Sequence, residues 1–337
     1  AANVPAAKVP SVRADLTLKP ARAYAPDTKL TDDYRCLVLD PALKEDRFVT
    51  GYDIQPGRGA QVHHVILFGV GPEGRDEVKR RDGADGRPGW TCFGGPGVGG
   101  STGLPGVIGS WTPGTVPTAY PAGTGVKVPA GGLVVMQVHY NLAGGHEPDV
   151  TTARLELAPL TAKVDPLSLL VSIAPVEIPC AGPAGGKDCE RRESLRQAVR
   201  EEGQNALTRV QGLLAYCGKS AEDFAKQDGR RVTSTCDRPV RRDMRALGAI
   251  LHMHTRGVSA RLELNPGTPG ARTLLDIPAW DFHWQGAYFY EQPVALKQGD
   301  TVRITCTWDN TRVQPQRYVV WGEGTSDEMC LGALTVR

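Results

Sequence analysis

Two short apolar segments of this 337-residue chain hold most of its histidine. The segments span residues 61–68 and 251–256, and together they contain four of the seven histidines. Ligand-type side chains are unusual in apolar, strand-like sequence, because a buried imidazole has polar nitrogens that require partners. We interpret both segments as candidate metal sites.

The second segment predicts two imidazoles on one side of a strand. Successive side chains of a β-strand alternate between faces, so His252 and His254 project from the same side. Leu251 and Met253 supply an apolar setting, and the segment is short enough to suit a strand better than a helix. Two imidazoles on one face make half of a metal site.

The first segment contains two adjacent histidines, His63 and His64. Neighbouring residues of a regular strand point to opposite faces, so these two can share an ion only at a twist, a bulge or a strand end. The sequence therefore predicts a local irregularity there. The alternative for any of the four histidines is a hydrogen-bonded core residue, which is the usual reading of a lone histidine but fits two histidine pairs poorly.

A third strand-like segment, residues 131–141, supplies another candidate ligand. Gln137 and His139 share one face of this strand, and apolar side chains fill the other. His139 is thus the candidate third ligand for the site of His63 and His64. The alternative is an exposed strand histidine without a metal.

Composition and charge narrow the fold class and the partners. The chain has 39 Lys plus Arg against 37 Asp plus Glu. This nearly balanced charge does not indicate binding to nucleic acid or to an anionic membrane. The 40 Gly and 26 Pro, together with few runs of helical period, favour an all-β chain. No membrane span is expected, because the charge-free run of residues 90–126 lacks a sustained apolar stretch.

The length exceeds the usual size of one hydrophobic core, so we expect two domains. An extended arm is expected over residues 1–30, an N-terminal β-domain over 31–162 and a C-terminal β-domain over 163–337. The C-terminal domain should carry a helical, cysteine-rich insertion over about residues 180–240, within which Gly203 divides two helices.

Two further segments complete this expected organisation. Residues 71–109 are read as a loop, because glycine and proline are frequent there. Residues 282–290 are read as one of the strands of the C-terminal domain.

The eight cysteines predict four disulfides, because none of them forms the C-x-x-C pair of a zinc or redox centre. Cys36 is the only cysteine upstream of Cys92, and a bridge between them would contribute about 4 kcal/mol. Cys306 and Cys330 are the remaining pair outside the insertion. The sequence leaves open all three pairings of the other four, which are Cys180, Cys189, Cys217 and Cys236.

Four disulfides indicate an oxidising compartment, so we expect a secreted or periplasmic protein. The chain starts at Ala1 without a methionine or a hydrophobic leader. This start fits a mature end left by signal-peptide removal, although any other trimming of the chain would look the same.

A methionine close to these histidines would point to copper. Thioether sulfur is a soft ligand that suits copper(I) and has little use in zinc or calcium sites. Met329 lies beside Cys330, whose bridge would fix its position. By itself a methionine is usually core filler, so Met329 gains weight only as part of a set with His252 and His254.

Four motifs, in this order, resemble one family. They are the His63-His64 strand, Gln137-Val138-His139-Tyr140, His252-Met253-His254, and the segment of residues 325–330 that contains Met329. Together they resemble the copper type II, ascorbate-dependent monooxygenases, the family of peptidylglycine α-hydroxylating monooxygenase and dopamine β-monooxygenase. The resemblance extends from Tyr34 to the C terminus.

The resemblance implies two jelly-roll-like antiparallel β-sandwich domains that each bind one copper ion. It makes His63, His64 and His139 the electron-transfer site. It makes His252, His254 and Met329 the catalytic site, which binds O2 and hydroxylates an activated C–H bond. Ascorbate or a similar one-electron reductant would reduce both copper ions.

The resemblance also marks two residues near the first copper ion, Tyr34 and Gln137. Side chains around metal ligands orient them and tune the metal, and these two would act in that way. The alternative is that each is an ordinary strand residue satisfied by its neighbours.

The sequence departs from the peptide-amidating members where they bind the carboxylate of their substrate. Ile250, Leu331 and Ala333 occupy those positions, so we expect a small-molecule substrate rather than a peptide. Val70 stands where relatives have a cysteine, so one family disulfide is missing. The alternative functions are a secreted copper-binding or copper-delivery protein without hydroxylase activity, and a structural tandem β-sandwich.

Overall fold

The computed structural model describes residues 10–98, 106–182 and 186–337. The chain divides into two compact units, and the division falls between Ser168 and Leu169. Both units consist mainly of antiparallel sheets, so the expected all-β sandwich class is confirmed.

The first unit has two sheets. One has the strand order β1-β10-β3-β8-β11, with β7 also paired to β3, and the other has the order β5-β2-β9-β4-β6. Its elements are β1 (Leu16–Leu18), β2 (Asp32–Leu39), β3 (Arg47–Gln55), β4 (Val62–Val70), α1 (Arg75–Arg81), β5 (Trp90–Thr91), β6 (Gly106–Trp111), β7 (Thr118–Ala119), β8 (Thr124–Val128), β9 (Leu133–Asn141), β10 (Thr152–Leu157) and β11 (Asp165–Pro166).

Strand β9 is the centre of the second of these sheets. It pairs with β2 on one side and β4 on the other, and its residues from Leu133 to Tyr140 are all buried. A strand covered on both faces needs apolar side chains in near-continuous sequence, as this one has. The polar Gln137 and His139 are the exceptions, and both are buried.

Two segments of the first unit differ from the sequence expectation. The prediction of a loop over residues 71–109 is wrong, because α1, β5 and part of β6 form there. The Glu77–Arg81 ion pair, four residues apart, supports α1, but a seven-residue helix is too short to show apolar periodicity. Within the arm expected over residues 1–30, β1 pairs with β10 and Tyr24 is fully buried, while residues 1–9 lie outside the described part.

The second unit has two four-stranded sheets, with the orders β12-β21-β15-β18 and β14-β19-β16-β17, and a small β13-β20 pair. Its elements are β12 (Ser168–Ile173), β13 (Glu177–Ile178), α2 (Arg191–Glu202), α3 (Gln204–Tyr216), α4 (Ala221–Ala225), β14 (Val232–Pro239), β15 (Met244–His252), β16 (Gly257–Leu264), β17 (Arg272–Ile277), β18 (Tyr288–Leu296), β19 (Thr301–Trp308), β20 (Val319–Val320) and β21 (Leu331–Val336).

Both large sheets contribute to the core of this unit. Leu251 on β15 and Leu334 on β21 pack in one cluster with Ile304 on β19, and Trp308 is fully buried in the same cluster. Each such side chain contributes about 1.5–3 kcal/mol through the apolar area it removes from water.

The helical insertion has the expected division. Gly203, with a φ of 79°, separates α2 from α3 in the left-handed region that favours glycine. The insertion packs against the sheets through Ala198 and Val210. Residues 183–185 of the insertion lie outside the described ranges.

The strand expected over residues 282–290 is wrong at its start. Strand β18 begins at Tyr288 and runs to Leu296. Asp281 instead closes a turn by accepting a hydrogen bond from the His283 backbone N–H at 2.9 Å. Pro293 is tolerated because β18 is the edge strand of its sheet.

All eight cysteines form disulfides, as predicted. Cys36 pairs with Cys92 and Cys306 with Cys330, and the choice that the sequence left open is resolved as two further bridges, Cys180–Cys189 and Cys217–Cys236. Four disulfides are typical of proteins from an oxidising compartment. In the ranges that the structure describes, no helix combines the length and the apolar character needed to cross a membrane.

Candidate metal centres

Strands β4 and β9 bring three histidines of the first unit together. The register of this antiparallel pair shifts between Val62 and His64, and His64 stands opposite His139. The shift is a β-bulge at His63, which turns two adjacent side chains toward one point. The irregularity predicted at the His63-His64 pair is thereby confirmed.

The Nδ1 atoms of these three rings form a small triangle. His63 Nδ1 lies 2.9 Å from His139 Nδ1 and 3.3 Å from His64 Nδ1, and the third side measures 3.4 Å. The point equidistant from the three nitrogens lies about 1.9 Å from each, close to the ~2.0 Å of a metal–imidazole bond.

The chemistry of the donor set fits a cation at that point. Each neutral imidazole presents either an N–H or a lone pair at Nδ1, so a triangle of three must contain at least one repulsive pair of like groups. A metal ion accepts all three lone pairs at once. His139 is fully buried and His63 is 9% exposed, so water competes little for the site.

Two side chains of β2 flank this cluster. Asp32 Oδ1 lies 2.8 Å from His139 Nε2, which fixes the ring with Nδ1 toward the other histidines. The Tyr34 ring stacks on that of His139 with centroids 4.0 Å apart. Gln137 makes a different contact, because its amide donates to the Cys92 carbonyl at 3.4 Å.

The second histidine pair lies in the second unit, where β15 ends. The rings of His252 and His254 are neighbours, with centroids 5.1 Å apart. His252 Nδ1 lies 2.6 Å from the side-chain oxygen of Gln285, and His254 Nδ1 lies 3.2 Å from the backbone oxygen of Asp327. Since both acceptors are oxygens, the N–H of each neutral ring is at Nδ1 and the lone pair is at Nε2.

Burial affects the charge of His252. It lowers the pKa of His252, against the opposing effect of the hydrogen bond that the ring donates to Gln285, and so favours the neutral ring that a metal requires. His254 is 1% exposed.

Glu328 joins the His254 segment to Met329. Its carboxylate accepts hydrogen bonds from the backbone N–H of His254 at 2.9 Å and of Arg256 at 2.6 Å, and from the Trp308 indole N–H at 3.0 Å. Burial raises the pKa of this carboxyl to about 7, while the three donors act in the opposite direction. Met329, the next residue, is buried and is followed by the Cys306–Cys330 bridge.

The helical insertion also supports the Met329 segment. Glu202, the last residue of α2, accepts a hydrogen bond from the Glu323 backbone N–H at 2.7 Å. The Arg317 side chain pairs with Asp327 at 2.5 Å. The loop before Met329 is thus fixed at several points.

A small aliphatic surface adjoins His252. In the β15–β21 pairing, Ile250 stands opposite Ala333 and His252 stands opposite Leu331. Residues two apart on a strand share a face, so these side chains lie on one side of the sheet. The surface that Ile250, Leu331 and Ala333 form beside His252 is therefore apolar.

The structure places the three predicted ligands of the first site in one cluster, whereas the contacts among those of the second site are less complete. Among the described residues, the group of three His, Cys, Asp or Glu side chains arranged to hold a metal is His63, His64 and His139. His252 and His254 are neighbours, and Met329 is tied to His254 through Glu328.

Sequence reasoning missed three residues that contact the candidate ligands. Asp32 was detectable, because it lies two residues before Tyr34 on the same face of β2. Glu328 was detectable as the neighbour of Met329. Gln285 is 33 residues from His252, and no local pattern marks it.

One family model matches the chain. Residues 225–334 match the copper type II ascorbate-dependent monooxygenase, C-terminal domain. The matched range includes His252, His254 and Met329. A search of curated proteins found no match to the chain.

Similarity to solved structures is low. PNGF-II is 12% identical to this chain with a TM-score of 0.33. The alignment covers 95% of this chain and 65% of PNGF-II, so this chain spans less than two thirds of the length of PNGF-II. Procruciferin, an 11S globulin from Brassica napus, is 12% identical with a TM-score of 0.15 and coverages of 98% and 85%. An oxalate decarboxylase variant from Bacillus subtilis is 7% identical with a TM-score of 0.15 and coverages of 98% and 80%.

Proposed function

We propose that this chain, whose residues 225–334 match the copper type II ascorbate-dependent monooxygenase, C-terminal domain, is a copper-dependent hydroxylase of that family. It would hydroxylate an activated C–H bond of a small molecule, using O2 and ascorbate or a similar one-electron reductant. The observation that carries the proposal is the triangle of His63, His64 and His139 Nδ1 atoms, in a chain that also carries the family's C-terminal domain.

The two ligand sets suit different tasks. Three imidazoles bind copper in either oxidation state, so the His63, His64 and His139 site, in the domain assigned to residues 31–162, would transfer electrons. A thioether favours copper(I), so His252, His254 and Met329, in the domain of residues 163–337, would form the catalytic site. Copper bound there supplies the one-electron chemistry that activates O2.

The chain's own residues prepare the catalytic site. Gln285 and the Asp327 carbonyl hold the Nδ1 N–H groups, so His252 and His254 present Nε2 lone pairs. Glu328 fixes the backbone of His254 relative to Met329. Burial of His254 and Met329 limits the access of water.

The aliphatic surface of Ile250, Leu331 and Ala333 supports a small-molecule substrate. A carboxylate placed against these three side chains would lose hydration, and none of the three could act as its cationic partner. An uncharged, apolar part of the substrate would fit there better.

The four disulfides support a place outside the reducing cytosol. We propose a secreted or periplasmic location, where such bridges persist.

Ascorbate-dependent O2 uptake by the copper-loaded protein tests the proposal. Uptake should be stimulated by members of a panel of small apolar molecules, and His254→Ala and Met329→Ala should abolish it. His283→Ala is the matched control, because its side chain is 81% exposed. If no member of a broad panel stimulates uptake, the hydroxylase proposal fails.

The same experiment separates hydroxylation from copper delivery. The His63, His64 and His139 cluster alone would suffice for a protein that only binds copper. Such a protein would hold copper(I) and leave O2 unconsumed with every substrate.

A further inference from the structure

An acidic residue stands directly behind one of the histidines of the first site. Asp32 opens β2, where Tyr34 is paired with His139 on β9. The Asp32 carboxylate oxygen lies 2.8 Å from His139 Nε2. The Asp32 side chain is 19% exposed and that of His139 is fully buried, so water screens this contact little.

The hydrogen bonds behind the histidines of the second site are of another kind. The oxygens near His252 Nδ1 and His254 Nδ1 are the Gln285 amide and the Asp327 backbone carbonyl. Both are neutral. The ring nitrogens of the second pair therefore face neutral oxygens, whereas His139 Nε2 of the first site faces a carboxylate.

We propose that Asp32 is a positioning residue that makes the first site the more reducing of the two. The inference rests on the proposed function, because it requires copper at His63, His64 and His139. The carboxylate holds the His139 N–H at Nε2 and so directs the Nδ1 lone pair to the metal. Its negative charge stabilises copper(II) more than copper(I).

This charge sets the direction of electron transfer. With copper held by His63, His64 and His139 and by the second ligand set, one electron would pass from the first site to the second, and no bond would be formed or broken in the protein. The step runs downhill when the carboxylate stabilises copper(II) at the donor and the thioether stabilises copper(I) at the acceptor.

The expected effect follows from the loss of a carboxylate behind a histidine ligand, which typically costs 10–100-fold in metal affinity. If the affinity of the site for copper(II) falls tenfold and its affinity for copper(I) is unchanged, the one-electron reduction potential rises by about 59 mV.

The test uses the full chain with His252→Ala and Met329→Ala, so that copper binds at the first site. Asp32→Asn removes the charge and keeps an oxygen acceptor, and Asp32→Glu keeps the charge. Asp53→Asn is the matched control, since Asp53 is also 19% exposed, lies in the same unit and pairs with Arg154 at 3.9 Å. Competition with chelators gives the affinities for copper(I) and copper(II), and a redox titration followed by the copper(II) electron paramagnetic resonance signal gives the potential.

Asp32→Asn should raise the potential by about 59 mV or more and weaken copper(II) binding at least tenfold. Asp32→Glu and Asp53→Asn should retain the parent potential. Equal potentials for Asp32→Asn and Asp53→Asn would overturn the role of Asp32 while leaving copper binding intact. A parent protein that binds no copper at this site would overturn the proposed function as well.

Discussion

Replacement of Glu328 should destabilise the second unit more than that of any exposed glutamate. Its carboxylate accepts three hydrogen bonds from buried donors, the backbone N–H groups of His254 and Arg256 and the indole of Trp308. Glu328→Ala leaves all three donors without this acceptor. Glu328→Gln keeps one oxygen but turns an amide N–H toward a donor.

The magnitude follows from the cost of an unsatisfied buried donor, about 1–3 kcal/mol each. Water that enters the space left by Glu328→Ala would recover part of this, so we expect a loss of about 3–5 kcal/mol in the free energy of unfolding. Glu328→Gln should lose about 2–3 kcal/mol on the same basis. Either loss is a large fraction of the free energy of unfolding of a typical domain, which is about 5–15 kcal/mol.

Urea unfolding followed by tryptophan fluorescence measures these losses, because Trp308 lies at the site of the change. Glu291→Ala is the control, since Glu291 is exposed on the edge strand β18 and should change the stability by less than about 0.5 kcal/mol. Copper binding at the second site should also be weaker in Glu328→Gln, because Glu328 holds the backbone of His254. A loss below about 1 kcal/mol in Glu328→Ala would show that the three hydrogen bonds contribute little to stability.

Three further substitutions test copper binding at each of the two proposed sites and the ion pair of Arg35 with Asp85. Gln285→Ala should weaken copper binding at the second site about tenfold, whereas Trp284→Ala, at a side chain that is 66% exposed, should leave it unchanged in a chelator competition. His63→Ala should lower the copper bound per chain from about two ions to one, and a full complement of copper would contradict its role as a ligand. The Arg35 guanidinium holds the pKa of Asp85 well below its usual range, so this contact stabilises the fold above about pH 4 and is lost as the pH falls. Asp85→Asn should therefore lower the free energy of unfolding by about 1–2 kcal/mol at neutral pH, a value reduced for solvent screening because Asp85 is half-exposed. The loss should become smaller as the pH falls. A loss that does not change with pH in urea titrations would contradict this.

The sequence predicted the local structure correctly where a short pattern of residues determines the backbone conformation. Adjacent histidines in a strand predict a bulge, and His63 lies at one. Gly203 within a helical run predicts a break between two helices, and the structure has it. The proposed ligand Met329 is a different case, because its assignment depends on a resemblance and not on its own surroundings.

The parts that sequence did not predict depend on tertiary contacts or on weak local signals. Gln285 reaches His252 from a loop far along the chain, and the aromatic residues before Tyr288 read as strand although Asp281 closes a turn there. The pairing of the four cysteines in the helical insertion required the fold, since each of three pairings satisfies the sequence equally.

X-ray absorption of the anaerobic copper(I)-loaded protein measures the ligands at both proposed sites in one experiment. We propose that the chain builds two separate three-ligand copper sites, of which the one with Met329 contains sulfur. We therefore expect two copper ions per chain, with imidazole scattering at both and, averaged over the two, one sulfur ligand for every two ions. Met329→Ala should remove the sulfur signal. A single copper ion per chain, or a spectrum without sulfur at full loading, would contradict the assignment of two such sites.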